Sequence, residues 1–209
     1  MTALTWASRK GHEQVVKVLL ERGDVEPDRA DTGYGQTPLS WAAENGHDGI
    51  VKMLLEREGV NPDQKDTLYG RTPLSRAAEK GNERIVKILL ERDDVNPNKT
   101  DTVYGQTPLL YAAQWGHIGI AKIILEREDI NPDQEGTKYG ETPLSWAAEK
   151  GHEGIVKMFL EREGVNPDQA GTEYCRTPLY WETENGLKRI VKMLMEWEVA
   201  GTAMLDNLN

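Results

Sequence analysis

The sequence predicts an all-α solenoid made of helix–helix–hairpin units with elongated loops, and three observations predict it. Tyr34, Tyr69, Tyr104, Tyr139 and Tyr174 recur at a constant spacing of 35 residues. Thr37, Thr72, Thr107, Thr142 and Thr177 open five TPL triplets in the same register. Gly11, Gly46, Gly81, Gly116, Gly151 and Gly186 fill one equivalent place in successive units, the first of which enters at Thr2-Ala3-Leu4. A fixed period of this length marks stacked supersecondary units, each too small to bury its own apolar face.

Within a unit, the Thr of TPL suits an N-cap and the Pro after it suits the first helical position, where a missing N–H leaves nothing unpaired. Helix one therefore starts at Pro38 and its equivalents, and stops at Gly46, which can adopt the left-handed conformation of a helix end. A second helix follows from His47 to Arg57, with Ile50, Val51, Leu54 and Leu55 on one face and Asp48, Lys52 and Glu56 away from it. The segment GVNPDQKDTLYG then carries Pro62, Asp63, Asp66 and Gly70, which favour turns, so it is expected to form an exposed hairpin-like finger.

Composition narrows the function. Of 209 residues, 38% are hydrophobic and 29% charged, enough apolar material for packing and too little for disorder. No stretch reaches the roughly 18 apolar residues of a membrane span, so no membrane partner is expected. A formal charge of -10 argues against nucleic acid, whose binders gain affinity by neutralising phosphates; a neutral or basic protein partner is expected instead. The single cysteine, Cys175, fits a reducing compartment, and the expected address is cytoplasmic. His12, His47, His117 and His152 recur at one place in four of the six repeats, too far apart for one metal ion, and are expected to close the turn after each Gly. Without a phosphate loop or a nucleophile motif, neither an enzyme nor a cofactor is expected.

Residues 37–56, TPLSWAAENGHDGIVKMLLE, resemble the ankyrin repeat, whose signature includes T-P-L-H-x-A. The resemblance runs from residue 2 to about residue 200. It implies one array over 1–200, with repeats at about 2–36, 37–71, 72–106, 107–141, 142–176 and 177–200, and a tail at 201–209. The style of the repeats is also similar to ankyrin arrays of fungal intracellular receptor-like proteins. The usual His of TPLH is replaced by Thr5, Ser40, Ser75, Leu110, Ser145 and Tyr180, so a polar link between repeats is expected to be weaker. Glu182-Thr183 and Leu187 suit a C-terminal cap, whereas Trp6 and Ala7 occupy interior-type positions, as if the stack continued upstream.

A helical wheel sets Leu39, Ala42 and Ala43 of helix one against the stack and turns Trp41, Glu44 and Asn45 the other way, toward a concave groove beside the fingers. Trp6, Trp41, Arg76, Tyr111, Trp146 and Trp181 form this aromatic row, flanked by Lys80, Gln114 and Trp115; Gln36, Arg71, Gln106, Glu141 and Arg176 join from the fingers. Whether the row packs from repeat to repeat or meets the partner is open at this point. Arg76, Leu110, Tyr111 and Trp115 break the pattern in the third and fourth repeats, and Arg71, Arg76, Tyr111 and Trp115 are the expected central contact, because exposed Trp and Arg are enriched where binding energy concentrates. The finger tips Leu68, Val103 and Lys138 vary while their surroundings hold steady, which adds them to the expected site. The expected function is binding a protein partner through groove and fingers, as a monomer; the alternative is a spacer or scaffold that self-associates through its open ends.

Overall fold

The computed structural model describes residues 1–138, 140–169 and 188–206. The described residues form eleven helices and no strand, arranged as a row of helix pairs. First helices are α1 (Ala3–Lys10), α3 (Pro38–Asn45), α5 (Pro73–Lys80), α7 (Pro108–Trp115) and α9 (Pro143–Glu149). Second helices are α2 (Glu13–Leu20), α4 (Asp48–Leu55), α6 (Glu83–Leu90), α8 (Ile118–Leu125) and α10 (Glu153–Leu160), and α11 spans Lys188–Asp206. That last helix passes residue 200, where the array was expected to end. The proline that breaks the chain after the other second helices, at Pro27, Pro62, Pro97, Pro132 and Pro167, is absent from its sequence, so nothing forces a stop. The capping residues Glu182, Thr183 and Leu187, together with Cys175, Arg176 and Trp181, lie outside the described residues.

The caps follow the expected chemistry. Thr37, Thr72, Thr107 and Thr142 each accept the backbone N–H three residues on, at 3.1–3.2 Å. Gly46 (φ 80°) and Gly81 (φ 78°) close α3 and α5 in the left-handed region. Glycine is needed at Gly81 for a second reason: a Cβ there would lie 2.8 Å from Cε1 of His117 in the next repeat. The histidines accordingly do more than close their own turns. Nε2 of His47, His117 and His152 donates to the carbonyls of Arg9, Glu79 and Gln114 in the preceding repeat, at 3.2, 3.1 and 3.2 Å. Asn82 does the same for Ala43 and Glu44. A polar inter-repeat link therefore exists despite the loss of the TPLH histidine; the residue after the glycine supplies it, satisfying carbonyls that a helix end leaves open.

Packing is asymmetric. Leu39, Ala42 and Ala43 of α3 and Ile50, Val51 and Leu54 of α4 are fully buried, and the pattern repeats along the row. Alanine pairs let first helices approach one another closely, and they pack more extensively on their neighbours than second helices do. The row thus bends with the first helices on its inner side. Each finger is narrower than a strand ladder, closed by one or two main-chain bonds, such as Asp66 N–H to Arg71 C=O at 3.0 Å and Gly70 N–H to Asp66 C=O at 3.1 Å. Successive fingers join through Thr67 N–H to Tyr34 C=O (3.1 Å) and Thr102 N–H to Tyr69 C=O (2.8 Å). Lower down, Asp28 and Asp63 accept the N–H of Asn61 and Asn96, one repeat on, at 3.2 and 3.0 Å.

Candidate protein interface

The inner surface begins with an aspartate that the wheel could not weigh. In the first finger, Asp31 accepts the N–H of Gly33 (2.7 Å), Tyr34 (2.8 Å) and Gln36 (3.2 Å), and also the indole N–H of Trp41 on α3 (2.9 Å). In the third, Asp101 accepts from Val103, Tyr104 and Gln106 and from the Tyr111 hydroxyl of α7, the last at 2.8 Å. In the second, Asp66 accepts from Leu68, Tyr69 and Gly70, and its partner on α5 is the Arg76 guanidinium, at 2.8 and 3.2 Å. Trp, Arg and Tyr are interchangeable here because each carries a donor at similar reach. The carboxylate clasps the finger onto the first helix.

This clasp corrects the groove assignment for Trp41, Arg76 and Tyr111. They are 5%, 6% and 1% exposed, sealed beneath the finger rather than open to a partner. In these three repeats the row is covered, with only an edge of Tyr111 reaching open space, and cations stack on it from the neighbouring repeat, Arg9 4.3 Å from the Trp41 ring and Arg71 4.7 Å from the Tyr111 ring. Gln36 and Gln106, expected on the rim, are also buried. They form a second clasp with the last turn of the first helix, Gln36 to Glu44 at 2.5 Å and Gln106 to Gln114 at 3.5 Å. Arg71 makes the same link to Glu79 at 2.8 Å, and its guanidinium lies 4.7 Å from the ring centres of both Tyr69 and Tyr111. Glu44 in turn lies 3.8 Å from Arg76, tying the first finger to the next repeat.

Burial pushes the Asp31 carboxyl upward, but its hydrogen bonds from Tyr34, Trp41, Gly33 and Gln36 outweigh that and hold it below the ordinary carboxylate range. The Tyr111 phenol moves the other way. Burial pushes it far above its usual range against the pull of Arg71, and the bond to Asp101 keeps its proton in place as a donor.

The fourth finger departs from this plan. Gly136 stands where Asp31, Asp66 and Asp101 stand, and Trp146 of α9 occupies the donor place of Trp41. Gly136 keeps the closing bond of the finger, its N–H donating to Glu141 C=O at 3.1 Å. Among the described residues no acceptor is paired with the Trp146 indole N–H, and Trp146 is half-buried where Trp41, Arg76 and Tyr111 are sealed. The link to the previous finger slips by one residue as well, from Lys138 N–H to Tyr104 C=O at 3.3 Å.

Trp146 lines a cleft of about 290 Å³ with Tyr104 from the third finger and with Gln114 and Trp115 from the last turn of α7. Its floor is the Arg71–Glu79 pair, Gln106 and the edge of Tyr111. Trp115 is 56% exposed. Lys80 lies at the rim, exposed, 3.9 Å from Glu79. Of the expected site, then, Arg71, Gln106, Tyr111, Gln114, Trp115 and Trp146 converge on this cleft. Arg76 does not reach it. Leu68 and Val103 are exposed at separate finger tips, and Lys138 stands over Tyr104 at 4.9 Å. The aspartates were missed because a residue in a turn segment reads as turn chemistry; the usable signal was an Asp ten residues before Trp41, Arg76 and Tyr111, and its loss from the sequence at Gly136 and Gly171.

Among the described residues no helix is long and apolar enough to cross a membrane. A family model described as ankyrin repeats (3 copies) matches residues 1–66, 58–136 and 128–203. No curated protein matches the chain.

Proposed function

We propose, since the chain belongs to the ankyrin-repeat family, that it binds a partner protein across the inner cleft between the third and fifth repeats. Ankyrin repeats are generally protein–protein interaction modules and typically not enzymes. The observation that carries the finer reading is Trp115, more than half exposed beside Trp146, Tyr104 and Arg71. Interior positions of α7 are sealed, so an indole left in water at its end is the place where a partner gains most by burying apolar area. The clasps hold the surrounding side chains before any partner arrives, which lowers the ordering entropy of association. The same reading has the chain acting in the cytoplasm, as the recognition region of a larger receptor-like protein.

Cross-linking mass spectrometry in cell extract tests this with the chain's own lysines. Lys80, Lys138 and Lys150 are exposed around the cleft, whereas Lys17, Lys52, Lys87, Lys122 and Lys157 are exposed on second helices. Partner cross-links are expected at the first group and are expected to drop in Trp115→Ala. Cross-links confined to the second group sink the cleft reading.

A second reading, self-association through an open end, is favoured by Trp6, Val15 and Val18, which are 48%, 49% and 61% exposed while Ile50 and Ile85, equivalent to Val15, are buried. Light scattering separates the two. Concentration-dependent growth that a polar residue at Trp6 suppresses supports association, and constant monomer size supports the cleft.

A further inference from the structure

The inner helices show three times what the donor at this position binds. Trp41, Arg76 and Tyr111 each hold a carboxylate, supplied by the chain's own Asp31, Asp66 and Asp101. In the next repeat the carboxylate is gone, the donor Trp146 remains, and it lines the cleft. The charge around that cleft also departs from the rest of the chain. Arg71, Lys80, Lys138 and Lys150 stand on or beside its walls, with Lys138 4.9 Å from the Tyr104 ring and Lys150 5.1 Å from the Trp146 ring. Against them are Glu79, which holds Arg71 at 2.8 Å, Glu149, which holds Lys150 at 2.7 Å, and the buried Glu141 and Asp101, in a protein whose formal charge is -10. The charges beside the cleft therefore balance, so an acidic segment meets less repulsion there than the net charge of the molecule implies. A carboxylate bound at the cleft thus departs from the neutral or basic partner that the overall charge had suggested.

We infer that the cleft recognises an acidic segment of the partner protein, and that a partner Asp or Glu carboxylate takes the indole N–H of Trp146 in place of the aspartate missing at Gly136. The inference rests on the cleft reading above and adds the chemistry of the occupant. Trp115 and Tyr104 offer ring faces to the residues that flank the carboxylate. Gly136 explains the vacancy without strain. Its φ is not among the positive values, so an aspartate suits its backbone. A Cβ built there would meet Tyr104 O at 3.2 Å, Gln106 Cγ at 3.8 Å and Leu110 Cδ1 at 3.8 Å, a tight but small adjustment.

The test is selection from random linear peptides displayed on phage, followed by titration of the best binder against the full chain and its variants. Enriched peptides are expected to carry Asp or Glu, and amide replacements of those residues are expected to bind about tenfold more weakly. Gly136→Asp, which supplies the carboxylate from within, and Trp146→Phe, which keeps a ring without the N–H, are expected to lose about as much. Gly136→Ala adds only the Cβ and is expected to bind as the parent does. Acidic binders unaffected by Gly136→Asp and Trp146→Phe, or enrichment of basic peptides sensitive to Trp115→Ala, overturn the carboxylate assignment and leave the cleft. Enrichment insensitive to Trp115→Ala, or none at all, overturns the cleft reading itself.

Discussion

Arg76→Ala is expected to lower the free energy of unfolding by about 3 kcal/mol, the scale set by removing one partner of a buried ion pair. The Asp66 side chain is fully buried and that of Arg76 only 7% exposed, so water cannot replace the guanidinium without opening the finger. Asp66 would keep its three backbone donors but lose the group that ties it to α5, and Glu44 would lose its cation as well. Arg76→Trp is expected to cost far less, under about 1.5 kcal/mol, because an indole serves the equivalent aspartate in the first finger. Urea unfolding of both variants measures this. Equal losses for Ala and Trp would mean that bulk, not the donor, is what the position requires.

Asp31→Ala is the second large effect, about 3 kcal/mol near neutral pH, because it strands the indole of Trp41 and three finger amides. Its pH dependence is distinctive. The folded Asp31 carboxyl lies below its ordinary range, so the unfolded chain takes up its proton first as pH falls. The stability it contributes is therefore complete above the ordinary value of about 3.9 and disappears as pH drops through the folded value. The parent and Asp31→Ala are expected to converge at the acid end of a denaturation series. A gap that stays constant down to that end would show that the contribution is not carried by the ionised carboxylate.

Much of this array is legible in its sequence, because its period is strict. The caps at Thr37 and Gly46 and the buried faces of Leu39, Ala42, Ala43, Ile50 and Leu54 follow from local pattern, and the structure places them as the pattern predicts. The inner surface is different. A helical wheel sees only one helix, and on that wheel Trp41 and Arg76 point away from the stack. What covers them is a finger that closes over the helix through a single carboxylate ten residues upstream, a contact between elements of different kind with no periodicity of its own. The histidines share this limit, since a residue that serves the preceding repeat's carbonyl looks, in its own repeat, like a turn. Trp115 was legible for the opposite reason. It breaks a pattern of polar residues at a helix end, where nothing in the chain folds over it.

The open place on the inner surface goes with a substitution, Gly136 for aspartate, that leaves the Trp146 indole without the acid that Trp41, Arg76 and Tyr111 have. Hydrogen exchange of the tryptophan indole N–H groups, followed by NMR, measures that directly. The indole of Trp41 is expected to be protected and that of Trp146 to exchange rapidly in the parent, with Gly136→Asp bringing Trp146 to the protection of Trp41. A Trp146 indole already as protected as that of Trp41 in the parent would contradict the account.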